Sequence, residues 1–142
     1  MKHPIIVVFE TDETLMHTLE SLAEQRHWLL RESRQGPACL AVLKSSAPAC
    51  LIVKLGRNLA RELTVVDQTH AALPNVPIVV VTGSEDPALT ALILDLGASY
   101  VLHPPTPRQR LVEVVESLMN ATIQRHWASA VEPEAPPREP NT

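Results

Sequence analysis

Aromatic residues are scarce in this chain: two tryptophans, one tyrosine and one phenylalanine in 142 residues. So few rings offer little stacking surface for bases or sugars. Glycine is equally rare, at four, and no glycine-rich turn follows the first apolar run, so the usual cradle for a nucleotide phosphate is missing. The two cysteines, Cys39 and Cys50, have neither zinc-ligand nor redox-pair spacing and read as reduced core residues. Lysine and arginine form no runs, and 12 basic residues against 16 acidic ones give a formal charge of −4. That removes the basic face an electrostatic nucleic-acid binder needs. Apolar runs stay far short of the roughly twenty residues that cross a membrane. The opening Met1-Lys2-His3-Pro4 lacks the pattern of a secretory signal. These gaps lead to the expectation of one soluble, cytoplasmic domain without nucleic-acid or membrane partners and without a cofactor.

Apolar residues make up 45% of the chain, enough for a single core. Three runs are apolar throughout instead of alternating: Ile5-Ile6-Val7-Val8-Phe9, Leu51-Ile52-Val53 and Ile78-Val79-Val80-Val81. Strands of that kind are covered on both faces. Two weaker candidates, Trp28-Leu29-Leu30 and Tyr100-Val101-Leu102, complete a series in which a strand begins roughly every twenty residues or a little more. Such an interval holds a strand, a helix and two short loops, so the spacing predicts right-handed βαβ crossovers in a parallel sheet.

Helical signals fill the gaps. Leu15, Leu19 and Leu22 share one face, and Leu40 with Leu43 mark a helix introduced by Gly36-Pro37. Leu59, Leu63, Val66 and Leu73 outline a third, with Asn58 as N-cap and Pro74 as stop. Ser84-Glu85-Asp86-Pro87 reads as a cap before a fourth helix with Leu89, Leu92, Ile93 and Leu96 inward, ended by Gly97. Thr106-Pro107-Arg108-Gln109 opens a long last helix with Leu111, Val114, Val115 and Leu118 as its buried stripe. The class predicted is α/β, a doubly wound (βα)5 sheet. Residues 1–127 are expected to form the domain with its extended last helix. Residues 128–142, which hold four of the 13 prolines, are expected to form a disordered tail or linker.

In an open parallel sheet, function gathers at the carboxyl ends of the strands. That rule selects Glu10-Thr11-Asp12, Lys54-Leu55-Gly56, Thr82-Gly83-Ser84 and His103-Pro104. With these residues on view, the chain from about residue 4 to 120 resembles the receiver domain of two-component response regulators. The supports are the first strand ending in acids, Pro48-Ala49-Cys50-Leu51-Ile52-Val53-Lys54, Pro77-Ile78-Val79-Val80-Val81-Thr82-Gly83, and Gly97-Ala98-Ser99-Tyr100-Val101-Leu102-His103-Pro104. The resemblance implies a flavodoxin-like, CheY-like sheet of order 2-1-3-4-5. It also implies a site in which two acids hold magnesium, an aspartate accepts the phosphoryl group, and a hydroxyl and a lysine complete the set.

This chain departs from that set. Glu10 stands at the first acidic position, but Thr11 follows it and Asp12 lies one further on. Lys54 stands at the phosphoacceptor position, Thr82 at the hydroxyl position, and His103 at the lysine position, still followed by a proline. An acyl phosphate needs a carboxylate nucleophile and a cation to neutralise the phosphoryl oxygens, and Lys54 provides neither. The expectation is a degenerate pocket, neutralised internally by Lys54 with Glu10 or Asp12, with no catalytic residue and no metal. Plainer readings stand beside it: Asp12 as a helix cap, Lys54 extended into solvent, Thr82 bonding backbone, and His103 as a loop residue.

With the pocket disabled, surfaces become the candidates. The fourth helix carries Ala91 and Leu94 on its far side. The last helix adds a second stripe of Val112, Met119, Ile123 and Trp127. The resemblance implies pairing through the fourth helix, fifth strand and fifth helix, with Tyr100 at the family's aromatic switch position. The predicted function is a pseudo-receiver, not an enzyme. It would act as a phosphorylation-independent interaction or dimerisation module whose partner is a signalling protein, an output domain or a second copy. Two alternatives stay open: a receiver regulated by non-covalent cation or small-anion binding, and a small-molecule-binding enzyme using the same crevice.

Overall fold

Short runs rich in β-branched residues and without polar interruption favour strands covered on both faces, and such strands occupy the middle of a sheet. In the computed structural model, which describes residues 4–9, 13–45, 49–56, 58–103 and 108–131, strands and helices alternate as β1 (Ile5–Phe9), α1 (Glu13–Arg26), β2 (Leu29–Ser33), α2 (Gly36–Ser45), β3 (Ala49–Lys54), α3 (Leu59–Ala72), β4 (Ile78–Val81), α4 (Pro87–Asp95), β5 (Tyr100–Leu102) and α5 (Arg108–Val131). The strands are parallel, in the order β2-β1-β3-β4-β5. The predicted doubly wound architecture is the one observed.

Alternate residues of the central strands feed two cores. Val7, Phe9, Leu51, Val53, Ile78 and Val80 pack beneath α2, α3 and α4, against Cys39, Leu43, Val65, Val66 and Ile93. Their neighbours Ile6, Val8, Cys50, Ile52 and Val79 pack on the other side against Leu15, Leu19 and Leu22 of α1 and Leu111, Val114, Val115 and Met119 of α5. The period of two along the strand explains how one apolar run serves both layers.

Several sequence expectations shift. The second strand begins at Leu29, not Trp28, because His27 takes a left-handed conformation (φ 62°) that ends α1. The Trp28 ring then falls into the α1–α5 core. The third helix is turned relative to the leucine stripe: its buried residues are Glu62, Val65, Val66 and Thr69, while Leu59 is exposed. On α4, Leu92, expected inward, is exposed and Ile93 carries the burial. On α5 the core seam runs through Leu111, Val115 and Met119, four residues apart. Met119, expected on an exposed second stripe, is therefore enclosed at 0% exposure, and Leu118 is only partly buried. Ile123 is half-buried against the same core. The last helix continues to Val131, past the domain end expected at Trp127. Gly97 (φ 121°) lets the turn after α4 press onto α3, where a Cβ would lie 2.2 Å from the His70 ring.

Burial raises both thiols, Cys39 to about 11 and Cys50 to about 12. Below the unfolded-chain value of 9.0 both states keep the proton and the contribution to stability is complete. Above it the unfolded chain ionises first, so stability falls as pH rises towards the folded values. Denaturant midpoints taken between about pH 8 and about pH 10 are expected to drop less steeply in Cys50→Ala than in the natural chain. Equal slopes would contradict this account.

Candidate functional site

The strand register assembles the carboxyl edge of the sheet. Lys54, the last residue of β3, pairs with Val81, which pairs in turn with Leu102. The backbone continues the edge one step further, with the Leu55 N–H donating to Val81 O at 2.8 Å and the Thr82 N–H to Leu102 O at 3.0 Å. Lys54, Thr82 and His103 are thus brought to one edge of the sheet. Lys54 is half-buried and Thr82 is buried. Glu10, Thr11 and Asp12, and the prolines after His103, lie outside the described residues.

After β3 the chain turns through Gly56, at φ 143°, where only glycine sits without strain. The turn is held from within by Glu62. Its carboxylate has no exposed surface. Oε1 accepts the Gly56 N–H at 3.1 Å and Oε2 the Asn58 N–H at 3.2 Å. Asn58 caps α3 by accepting the Arg61 N–H at 3.1 Å. These charge-assisted bonds offset the cost of burying an anion. The Arg61 guanidinium lies 5.4 Å from the ring centroid of Phe9, at the end of β1. Hydrophobic periodicity does not single out Glu62. The legible signal was an acid four residues after a good N-cap.

The loop after β4 is a ladder. Thr82 Oγ1 accepts the Ser84 N–H at 3.1 Å, Ser84 Oγ accepts the Asp86 N–H at 3.1 Å, and Asp86 Oδ1 accepts the Ala88 N–H at 3.0 Å. Each rung spans two residues, the reach of a short hydroxyl or carboxylate side chain back onto its own backbone. Asp86 is the N-cap of α4 and Pro87 occupies its first turn. The Thr82 hydroxyl is therefore engaged with backbone, the plainer of its two readings. His103 faces this loop: Nδ1 lies 3.1 Å from Ser84 O and Nε2 lies 3.4 Å from Thr90 Oγ1.

The surface candidates separate. Leu94, 47% exposed, lines an open groove of about 520 Å³ with Glu85, Pro87, Thr90, Ala91 and His103. Tyr100 belongs to a second hollow, about 320 Å³, with Arg110, Glu113 and Ser117. The Arg110 guanidinium stacks 5.2 Å from the Tyr100 ring centroid and donates to its hydroxyl. Trp127 is 50% exposed, and Met119 borders neither hollow. Among the described residues no group of three His, Cys, Asp or Glu could hold a metal ion. No described helix is long and apolar enough to cross a membrane.

No protein-family model matches the chain, and no curated protein matches it by sequence. Solved structures do. A CheY-like response regulator receiver domain protein from Methanospirillum hungatei JF-1 superposes with a TM-score of 0.70 at 14% identity, covering 88% of this chain and 99% of the other. The signal receiver domain of an HD domain-containing protein from Pseudomonas fluorescens Pf-5 gives 0.73 at 19% identity, covering 89% and 93%. The beryllofluoride-activated NtrC4 receiver domain dimer gives 0.69 at 13%, covering 83% and 98%. The fold is the receiver fold. Within it the end of the central strand β3 carries an ammonium group, and the flanking loops are tied down by Glu62 and by the Thr82 ladder.

Replacing Glu62 with Gln is expected to set an amide NH2 against one of the two backbone donors. The cost is about 1–3 kcal/mol, read as a lower denaturant midpoint, with faster hydrogen exchange at Gly56 and Asn58. Unchanged exchange at both amides would show that the carboxylate does not hold the turn.

Proposed function

We propose that this chain is an atypical response-regulator receiver, a pseudo-receiver that signals through protein contact without a phosphorylation cycle. The observation that carries the reading is Lys54 as the final residue of β3, the place where the receiver resemblance puts the phosphoacceptor aspartate. Forming an acyl phosphate requires a carboxylate oxygen to attack phosphorus, and an ammonium group has no such oxygen. An ammonium also disfavours a divalent cation at the same spot. The described carboxylate nearest in sequence, Glu62, is enclosed and already accepts two backbone N–H groups. Glu10 and Asp12 remain the proposed counter-charges for Lys54.

Exposed apolar side chains on α4 and α5 support contact as the working mode. Leu92, Leu94 and Trp127 are all close to half exposed, and apolar groups left open in this way mark interaction surfaces when they cluster. The occupant we propose is a second copy of the chain, meeting it over α4, β5 and α5 with Leu94, Ile123 and Trp127 at the contact. Met119 has no part in it, being core.

Two measurements check these statements. After incubation with acetyl phosphate and magnesium, intact-mass spectrometry is expected to find the unmodified chain; a stable phosphoryl adduct would overturn the reading. Light scattering is expected to give a dimer mass for the natural chain and a monomer mass for Leu94→Glu and Trp127→Glu. A monomer throughout the micromolar range would remove the second copy as partner.

A further inference from the structure

We propose that His103 is a latch that fastens the β4–α4 loop to the end of β5 and so couples the groove beside α4 to the carboxyl edge of the sheet. The Ser84 contact selects the tautomer of the neutral ring. Ser84 O, 3.1 Å from Nδ1, can only accept, so the proton of the neutral ring sits on Nδ1. Nε2 is then an acceptor, and the Thr90 hydroxyl at 3.4 Å is positioned to donate to it. Thr90 Oγ1 also lies 3.2 Å from Asp86 O. One hydroxyl proton serves two acceptors in turn, so when the ring swings away Thr90 falls back on Asp86 and is not left unsatisfied. Opening the latch is therefore inexpensive on the helix side, which a reversible device requires.

The two ends of the latch lead to different places. Ser84 is the middle rung of the ladder that begins at buried Thr82 and ends at the α4 cap. A displaced Ser84 carbonyl reorients the peptide whose neighbours hold those rungs. On the outer side, His103 and Thr90 line the groove together with Glu85, Pro87, Ala91 and Leu94. Whatever settles in that groove touches two of the three latch members directly. By linkage, a change in the ladder at Thr82 alters the groove by the same free energy that groove occupancy returns to the ladder. This inference goes beyond the pseudo-receiver reading and does not depend on whether the pocket is phosphorylated.

The test uses the full chain labelled with 15N-histidine, observed by long-range 1H–15N correlation at alkaline pH, where the rings are neutral. His103 is expected in the Nδ1–H tautomer, the less common form of an unconstrained histidine; the Nε2–H form or an averaged pair would overturn the latch. Coupling is read separately with Thr90→Val, which removes the groove-side end and leaves Ser84 intact. The amide signals of Ser84 and Thr82 are expected to shift. Shifts confined to α4 and His103 would overturn the coupling. His103→Asn, which keeps a donor near the Nδ1 position, is expected to restore slow exchange at Ser84 relative to His103→Leu; equal exchange in the two variants counts against the latch.

Discussion

Covering β1, β3 and β4 on both faces is the constraint from which the rest of the molecule follows, because it leaves the central backbone able to meet other groups only where the strands end. At those ends the chain leaves the sheet ladder, and its N–H and C=O groups need new partners. Here the chain supplies many of them itself. Glu62 takes two donors of the turn after β3. Thr82, Ser84 and Asp86 take three in the loop after β4. His103 meets the Ser84 carbonyl between them. These bonds give the carboxyl edge a defined shape without a ligand.

That self-sufficiency and the ammonium of Lys54 point the same way. A site that cycles with a charged group needs a nucleophile, a counter-ion and loops whose donors become free when the group arrives. An edge whose loop donors already bond to Glu62, Thr82, Ser84 and Asp86 has fewer to offer, and it holds its form in the resting state. In the function proposed above, the receiver fold serves as a scaffold whose outward surfaces do the recognition. The fold does not dictate one chemistry, and the side chains at the strand ends decide which chemistry is possible.

Much of the architecture was legible in the sequence. Unbroken β-branched runs announced doubly covered strands, and Asp86-Pro87 and Asn58 announced helix starts. What escaped was the facing of the helices. In α3, counting leucines favoured Leu59, but a carboxylate able to satisfy two backbone donors claimed the inward position, an outcome periodicity cannot register. In α5, an apolar residue at nearly every inward or flanking position left Leu118 and Met119 both admissible, and packing chose Met119. At the site, the positions of Lys54, Thr82 and His103 were readable from strand spacing. The partners of the Thr82 and His103 side chains were not, because those contacts depend on which way a loop turns. The Thr-x-Ser-x-Asp alternation at 82–86 was in plain view, though only the loop geometry shows that each side chain reaches the backbone two residues ahead.

The central claim is that the carboxyl edge does not switch in response to a phosphoryl donor. Backbone 15N relaxation dispersion over residues 82–90, recorded with and without acetyl phosphate and magnesium, tests it most directly, because such switching falls in the microsecond-to-millisecond range. Dispersion profiles and amide positions that are the same in both conditions are the predicted result. Exchange between two states that acetyl phosphate and magnesium shift towards one of them would contradict the account.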